Sequence, residues 1–279
     1  MDASAAAERI WPGRQAIVTP LSGGITNHNF KVEVDGEAFV LRMAGAQTAV
    51  LGIDRRVEWE ASRRAAAVGV GPEVADFIEP EGWLVTRFIS GHPISVEEMR
   101  RPEMIRRVAA ALLRFHDALP IPGRFDPHVV VREYRREAEA RGVVIPDAYE
   151  GAHQIAERIR KERGSQPTVP CHNDLLNANF LDDGEIRIVD WEYAGMGDRF
   201  FDLANFSVNH EFAIDDDRAL LAAYFGEAAE PALADLRRMK FMSDFREAMW
   251  GVLQGGISEL DFDFKAYATR HFDRMLGTY

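Results

Sequence analysis

Cysteine is nearly absent: Cys171 is the single one in 279 residues. It can form no internal disulfide and cannot build a thiolate metal site alone, which suits a reducing compartment. Basic residues are in deficit, 33 Lys and Arg against 45 Asp and Glu, giving a formal net charge of −12. Nucleic acids are held chiefly by cations that neutralise phosphates, so this balance argues against one as the main ligand. Long apolar runs are missing as well. Val108 to Leu113 is stopped by Arg114, far short of the ~18 residues a membrane helix needs. The first ten residues hold Asp2 and Glu8 and lack the basic and apolar regions of a secretory signal. These absences lead us to expect a cytoplasmic protein with no membrane span and no nucleic-acid partner. The rest is ordinary globular composition, 47% hydrophobic and 28% charged, enough to bury a core in one large domain or two lobes.

The first ninety residues alternate with a period of two. Phe30, Val32 and Val34 share one face, Lys31 and Glu33 the other, and Asp35-Gly36 supplies a tight turn before Glu37 to Met43 alternates again. Further strands are expected at 16–20, 74–79 and 83–88. The segment 54–68 is rich in Ala, Arg and Glu and ends at Gly69, as a helix would. After Ser90-Gly91-His92-Pro93 the periods become helical, over 96–119, 131–141, 149–163, 216–225, 231–253 and 262–276, with one strand-rich island at 179–190. The expected architecture is α+β and two-lobed, with an antiparallel-sheet lobe over residues 1–89 and a mainly helical lobe over 90–279.

Chemistry concentrates in Cys171-His172-Asn173-Asp174-Leu175-Leu176-Asn177-Ala178-Asn179. It contains H-x-D-L-x-x-x-N, the catalytic-loop pattern of kinase-type phosphotransferases, and chance supplies only about 0.015 occurrences of H-x-D-x-x-x-x-N at this composition. A short hairpin turning at Asp182-Asp183-Gly184 would carry Asp190 back alongside Asn179. One carboxylate and one amide oxygen are a sensible protein share of a magnesium shell, which keeps waters and phosphate oxygens besides. Asp174 would then stand where an acceptor hydroxyl approaches, to accept or orient its proton. Upstream, Ser22, Gly23, Gly24, Thr26, Asn27 and Asn29 lie in a small-residue turn between strands, where backbone N–H groups can approach phosphates closely. Arg42 takes the strand position of the phosphate-pairing lysine in kinase-like lobes, and Glu58 on the next helix is its natural partner.

In these residues the chain resembles the choline and ethanolamine kinase family, relatives of the aminoglycoside phosphotransferases within the protein-kinase-like fold. The resemblance runs from about Ser22 to Leu276. It rests on Ser22 to Phe30, Phe39-Val-Leu-Arg42, Glu58, His172-Asn-Asp174 with Asn179, and Asp190-Trp-Glu-Tyr. Two later blocks favour the choline side: Phe201-Asp-Leu-Ala-Asn205 with Glu211, and Trp250 to Ser258 followed by Tyr267-Ala. The resemblance implies a two-lobed kinase-like fold that uses ATP and Mg2+. In it Asp174 is catalytic, Asn179 and Asp190 hold the metal, and Arg42, Glu58 and the Ser22–Asn29 segment arrange the phosphates. It makes Asp202 a brace on the catalytic loop, and it places Glu211, Trp250 and Tyr267 around a small cationic alcohol, choline or ethanolamine. Aromatic faces and a carboxylate are what a quaternary ammonium requires. One departure is Glu247, three residues before Trp250, where fuller aromatic cages have a second tryptophan. A more acidic pocket suits an ammonium that donates hydrogen bonds.

Two other readings stay open at this point. The acceptor could be an aminoglycoside, thiamine or another small alcohol, or the chain could be a nucleotide-binding pseudokinase. The complete set Asp174, Asn179, Asp190, Arg42 and Glu58 speaks against the latter. Asn173 and Asp190-Trp191-Glu192, with no activation segment of usual length before Asp198, favour a small-molecule acceptor over a protein. Asp215 to Asp217 read as acids at a helix start, the arginines between 132 and 141 as a solvated stripe, and His116 and Cys171 as packing residues. The sequence leaves open whether the chain pairs into a homodimer.

Overall fold

A computed structural model describes residues 2–21, 27–45, 48–226 and 229–278. Helix α1 (Ala3–Ile10) is followed by β1 (Ala16–Pro20), β2 (Asn27–Val34) and β3 (Glu37–Ala44). The β2–β3 turn is Asp35-Gly36, with φ of 53° and 81°, the left-handed pair that matches strand twist in a two-residue hairpin. Helix α2 (Arg55–Ala67) starts where the Asp54 carboxylate accepts from Arg56 and Val57 N–H, and β4 (Val74–Ile78) and β5 (Trp83–Arg87) complete an antiparallel sheet in the order β1-β2-β3-β5-β4. The alternation sorts the faces as expected. Val32, Val34, Phe39 and Leu41 pack with Ala6 and Ala7 of α1, while Val40 and Arg42 face the opposite side, toward the second half of the chain.

That half holds β6 (His92–Pro93), α3 (Val96–Met99), α4 (Pro102–His116), α5 (Pro127–Ala140), α6 (Ala148–Arg163), β7 (Val169–Cys171), β8 (Phe180–Asp182), β9 (Ile186–Ile188), β10 (Gly195–Gly197), α7 (Arg199–Asn209), α8 (Ile214–Phe225), α9 (Glu230–Ile257) and α10 (Phe264–Thr278). The helix expected over 96–119 is two. Ser95 and Glu98 close a capping box on α3, and Pro102, which has no N–H to donate, opens α4. Helix α7 was not expected. Phe201 to Val208 are buried, and the helix's polar stripe of Asp202, Asn205 and Asn209 faces the loop after β7 rather than solvent. Helices α4, α5, α7 and α9 enclose the main core, and two small sheets, β6-β8-β9 and β7-β10, sit against it on the side facing the large sheet. Among the described residues no helix is long and apolar enough to cross a membrane. The α+β architecture is thus an antiparallel sheet lobe followed by a mainly helical one.

Candidate active site

The loop after β7 is hung from the interior of the helical half. Asp202, fully buried on α7, accepts the backbone N–H of His172 and of Asn173 at 2.7 Å each, and takes His116 Nε2 at 3.0 Å. Asn205, one turn further, accepts Leu175 N–H at 2.5 Å. Asp202 is therefore a brace, as the sequence implied. His116, Cys171 and Asp202 do come within 4.8 Å of one another. Both His116 nitrogens are engaged, however, the second with the Tyr224 hydroxyl at 2.7 Å, so the cluster is a hydrogen-bonded strut. Burial lowers the His172 pKa and keeps the ring neutral. Its Nε2–H then donates to Val189 O at 3.0 Å, and Nδ1 accepts Asp174 N–H at 3.2 Å. Asn173 adopts φ of 66°, and the chain turns there to present Asp174.

The hairpin of β8 and β9 returns as expected. Val189 N–H donates to Asn179 O at 2.9 Å, so Asn179 and Asp190 are brought together. The Asn179 amide nitrogen donates to Asp174 O at 2.8 Å, which leaves the amide oxygen as the atom to offer a cation. Asp190, at φ of 67°, meets Arg42 across the lobes at 2.6 Å, and the same guanidinium reaches Glu58 at 2.6 Å. Burial works against the Arg42 charge, but Asp190, Glu58 and Glu192 outweigh it and raise its pKa. Arg55 extends the network to Glu58 at 2.6 Å, Glu192 at 3.3 Å and Asn27 at 2.7 Å. Asn27, expected at the phosphates, is here a buried tie whose amide donates to Glu192 at 2.8 Å. Asn29, Arg42, Asn179 and Asp190 line a cleft of about 430 Å3 between the lobes, with Val40, Leu84, Ile89 and Trp191 as apolar walls. Ser22, Gly23, Gly24 and Thr26 lie outside the described residues.

Trp250 on α9 and Tyr267 on α10 come together, with ring centroids 5.7 Å apart and edge to face. Gly251 permits this approach, since a Cβ there would meet the Tyr267 ring at 2.9 Å. The Trp250 indole N–H donates to the Tyr193 hydroxyl at 3.1 Å, and the Tyr267 hydroxyl donates to Glu247 at 2.8 Å. Arg246, buried beneath the Tyr193 ring, links this group to the catalytic loop through Asp174, 3.1 Å away, and the Asn173 carbonyl. Burial pushes the Asp174 carboxyl up to about 7, with Arg246 pulling the other way and Glu247, Asp190 and Glu192 adding to the rise. Glu211 is not brought to this group. It is exposed just past α7, pairs with Arg100 at 2.5 Å and lines a separate cleft with Lys240 and Arg274, whose walls include neither Trp250 nor Tyr267. Sequence reasoning missed Arg246, Tyr193 and Asn205 as site residues. Tyr193 closes the Asp190-Trp-Glu-Tyr block, and Arg246-Glu247 directly precedes the apolar run Ala248 to Leu253 of α9. Those were the available signals.

Residues 18–224 match the family model described as choline/ethanolamine kinase. The chain belongs to the choline/ethanolamine kinase family. It is accordingly a phosphotransferase with an alcohol acceptor. Ethanolamine kinase 2 of Rattus norvegicus is 26% identical over 299 residues, covering 95% of this chain and 76% of the relative. A choline/ethanolamine kinase family protein from Mesorhizobium loti is 32% identical, with a TM-score of 0.83 over 99% of this chain and 93% of that one. Aminoglycoside phosphotransferase APH(4)-Ia, solved with ADP and hygromycin B, shares the kinase-like fold at 18% identity and a TM-score of 0.72, over 100% of this chain and 99% of that one. Family membership and these structural neighbours account for the fold: an antiparallel sheet followed by a mainly helical part.

Proposed function

We propose that this kinase transfers the γ-phosphoryl group of ATP, with magnesium, to the hydroxyl of a small amino alcohol, choline or ethanolamine. The observation that carries the reading is the position of Asp174. Its main-chain carbonyl is held by Asn179, a cleft-lining residue, at 2.8 Å, and its carboxylate by Arg246 beside the aromatic group at 3.1 Å. A base there stands between a donor phosphate and an acceptor hydroxyl. The apolar walls of the cleft suit a purine, and Arg42, oriented by Glu58, suits the phosphates. Asn179 and Asp190 present hard oxygen donors, which fit magnesium. When bound, that ion would neutralise charge on the phosphate oxygens. Asp174 would take the acceptor proton, and Trp250 and Tyr267 would shield the acceptor from water. The names of the relatives, ethanolamine kinase among them, support the acceptor class.

Following ADP release with choline, ethanolamine, thiamine and an aminoglycoside as acceptors tests this directly. Turnover is expected with the amino alcohols. Asp174→Ala should lower kcat by about a thousandfold while nucleotide binding, measured by calorimetry, persists. Near-normal turnover in that variant, or turnover confined to the other alcohols, would overturn the proposal.

A further inference from the structure

Helix α9 reaches the catalytic loop from two positions one turn apart. The Ser243 hydroxyl accepts the Asn205 amide at 3.0 Å, and Asn205 in turn accepts Leu175 N–H at 2.5 Å. Arg246 reaches the loop directly, with a side chain 1% exposed. A single nitrogen, Nη2, donates both to the Asn173 carbonyl and to Asp174 Oδ1, the latter at 3.1 Å. A guanidinium Nη carries two N–H bonds, one for each acceptor. The Asn173 carbonyl belongs to the peptide that leads into Asp174, so this nitrogen ties the carboxylate to its own main chain and fixes its side-chain torsions. Nη1 lies 2.8 Å from Glu247 Oε1, and Cζ lies 5.1 Å from the centroid of the Tyr193 ring, which together hold the fork in place. The two oxygens of Asp174 are thereby made unequal. Oδ1 is engaged by Arg246, whereas no described residue donates to Oδ2, and the side chain keeps 11% exposure.

We infer that Arg246 is a positioning residue that divides the Asp174 carboxylate, with Oδ1 as the anchor and Oδ2 as the atom that takes the acceptor's proton. This rests on the reading of Asp174 as the base. The acceptor O–H bond breaks, its proton goes to Oδ2, and the freed oxygen pair forms the bond to the γ-phosphorus as ADP departs. Without the tie, the carboxylate samples rotamers in which neither oxygen faces the acceptor, and a misplacement of about 1 Å costs on the order of a hundredfold in rate. Packing alone does not call for an arginine here. Its neighbours on α9, Phe245, Ala248 and Met249, are buried and apolar, and an apolar side chain of similar volume avoids the desolvation of a charge.

The test is kcat and both KM values, measured with whichever of ethanolamine, choline, thiamine and an aminoglycoside the wild type turns over fastest. Arg246→Met alone strips Glu247 of its cation and can fail to fold, so it is combined with Glu247→Gln, and Glu247→Gln alone serves as the parent. The combined variant, its fold checked by circular dichroism, should lose about a hundredfold in kcat against that parent, with each KM within about threefold. Arg246→Lys in the same background keeps a charged donor and should recover at least about tenfold of the loss. A kcat within about threefold of the parent, a loss carried by KM, or a lysine variant no faster than the methionine one would each overturn the inference. If Asp174→Ala itself keeps near-normal turnover, the reading of Asp174 as the base fails and takes this inference with it, which is a different result.

Discussion

Asp174 is buried against one cation and near three carboxylates, and the balance sets the pH at which it can act. Its carboxyl is pushed up to about 7, and only the ionised form accepts a proton from the acceptor hydroxyl. Below that pH the base is protonated and lost, and above it the base is fully available. We therefore expect kcat/KM to rise with pH through about 7 and level off on the alkaline side, with the rising limb abolished in Asp174→Asn. A flat profile between pH 5.5 and 8.5 in the wild-type enzyme would remove Asp174 ionisation from the rate law. The brace behind it is equally specific in chemistry. Asp202 offers two acceptor oxygens to three donors, and an asparagine there would turn an N–H2 toward an N–H.

Among the elements, the seam between α9 and α10 decides whether an aromatic group exists at all. Gly251 is the residue that lets Tyr267 lie against Trp250. Gly251→Ala should displace the Tyr267 ring and loosen its bond to Glu247. Steady-state kinetics should show a severalfold rise in acceptor KM with ATP KM little changed, and equal changes in both would place the effect elsewhere. These elements also mark where sequence reading succeeds. The β2–β3 hairpin was legible because one face is buried and Asp35-Gly36 is a strong turn signal. Helix α2 was legible through its Ala, Arg and Glu content and its stop at Gly69. The catalytic loop was legible because its side chains follow the chemistry of phosphoryl transfer whatever surrounds them. Helix α7 was not read as a helix, although Asp202, Asn205 and Asn209 recur at helical spacing, because that polar stripe is buried against the catalytic loop instead of facing solvent. The remote placement of Glu211 was hidden for another reason: a left-handed turn at φ of 53° follows α7, and nothing in the local pattern shows which way the chain leaves it.

For the molecule as a whole, the two halves are joined by charge as well as by packing. Arg55 of α2 holds Glu58 beside it and Glu192 across the cleft, and both acids are nearly inaccessible, with side chains 2% and 4% exposed. Glu58 keeps Arg42 and Glu192 keeps the Asn27 amide when Arg55 is removed, but the buried network loses one of its cations, a change of the kind that typically costs up to about 3 kcal/mol. Arg55→Ala should therefore destabilise the protein by up to about that much in urea unfolding, whereas Arg136→Ala, at an exposed position of α5 beside Glu133 and Glu137, should change stability by under about 1 kcal/mol. Comparable losses in the two variants would mean that the cross-lobe network adds nothing beyond a surface pair. The lone cysteine takes on a use in this setting. Cys171 is fully buried at the end of β7, at the root of the catalytic loop, and burial raises its thiol pKa well above the ordinary value. A maleimide can reach that sulfur only when the surrounding segment swings open. Every molecule thus carries one native clock, and its labelling rate counts the openings of the region that positions the reactive carboxylate.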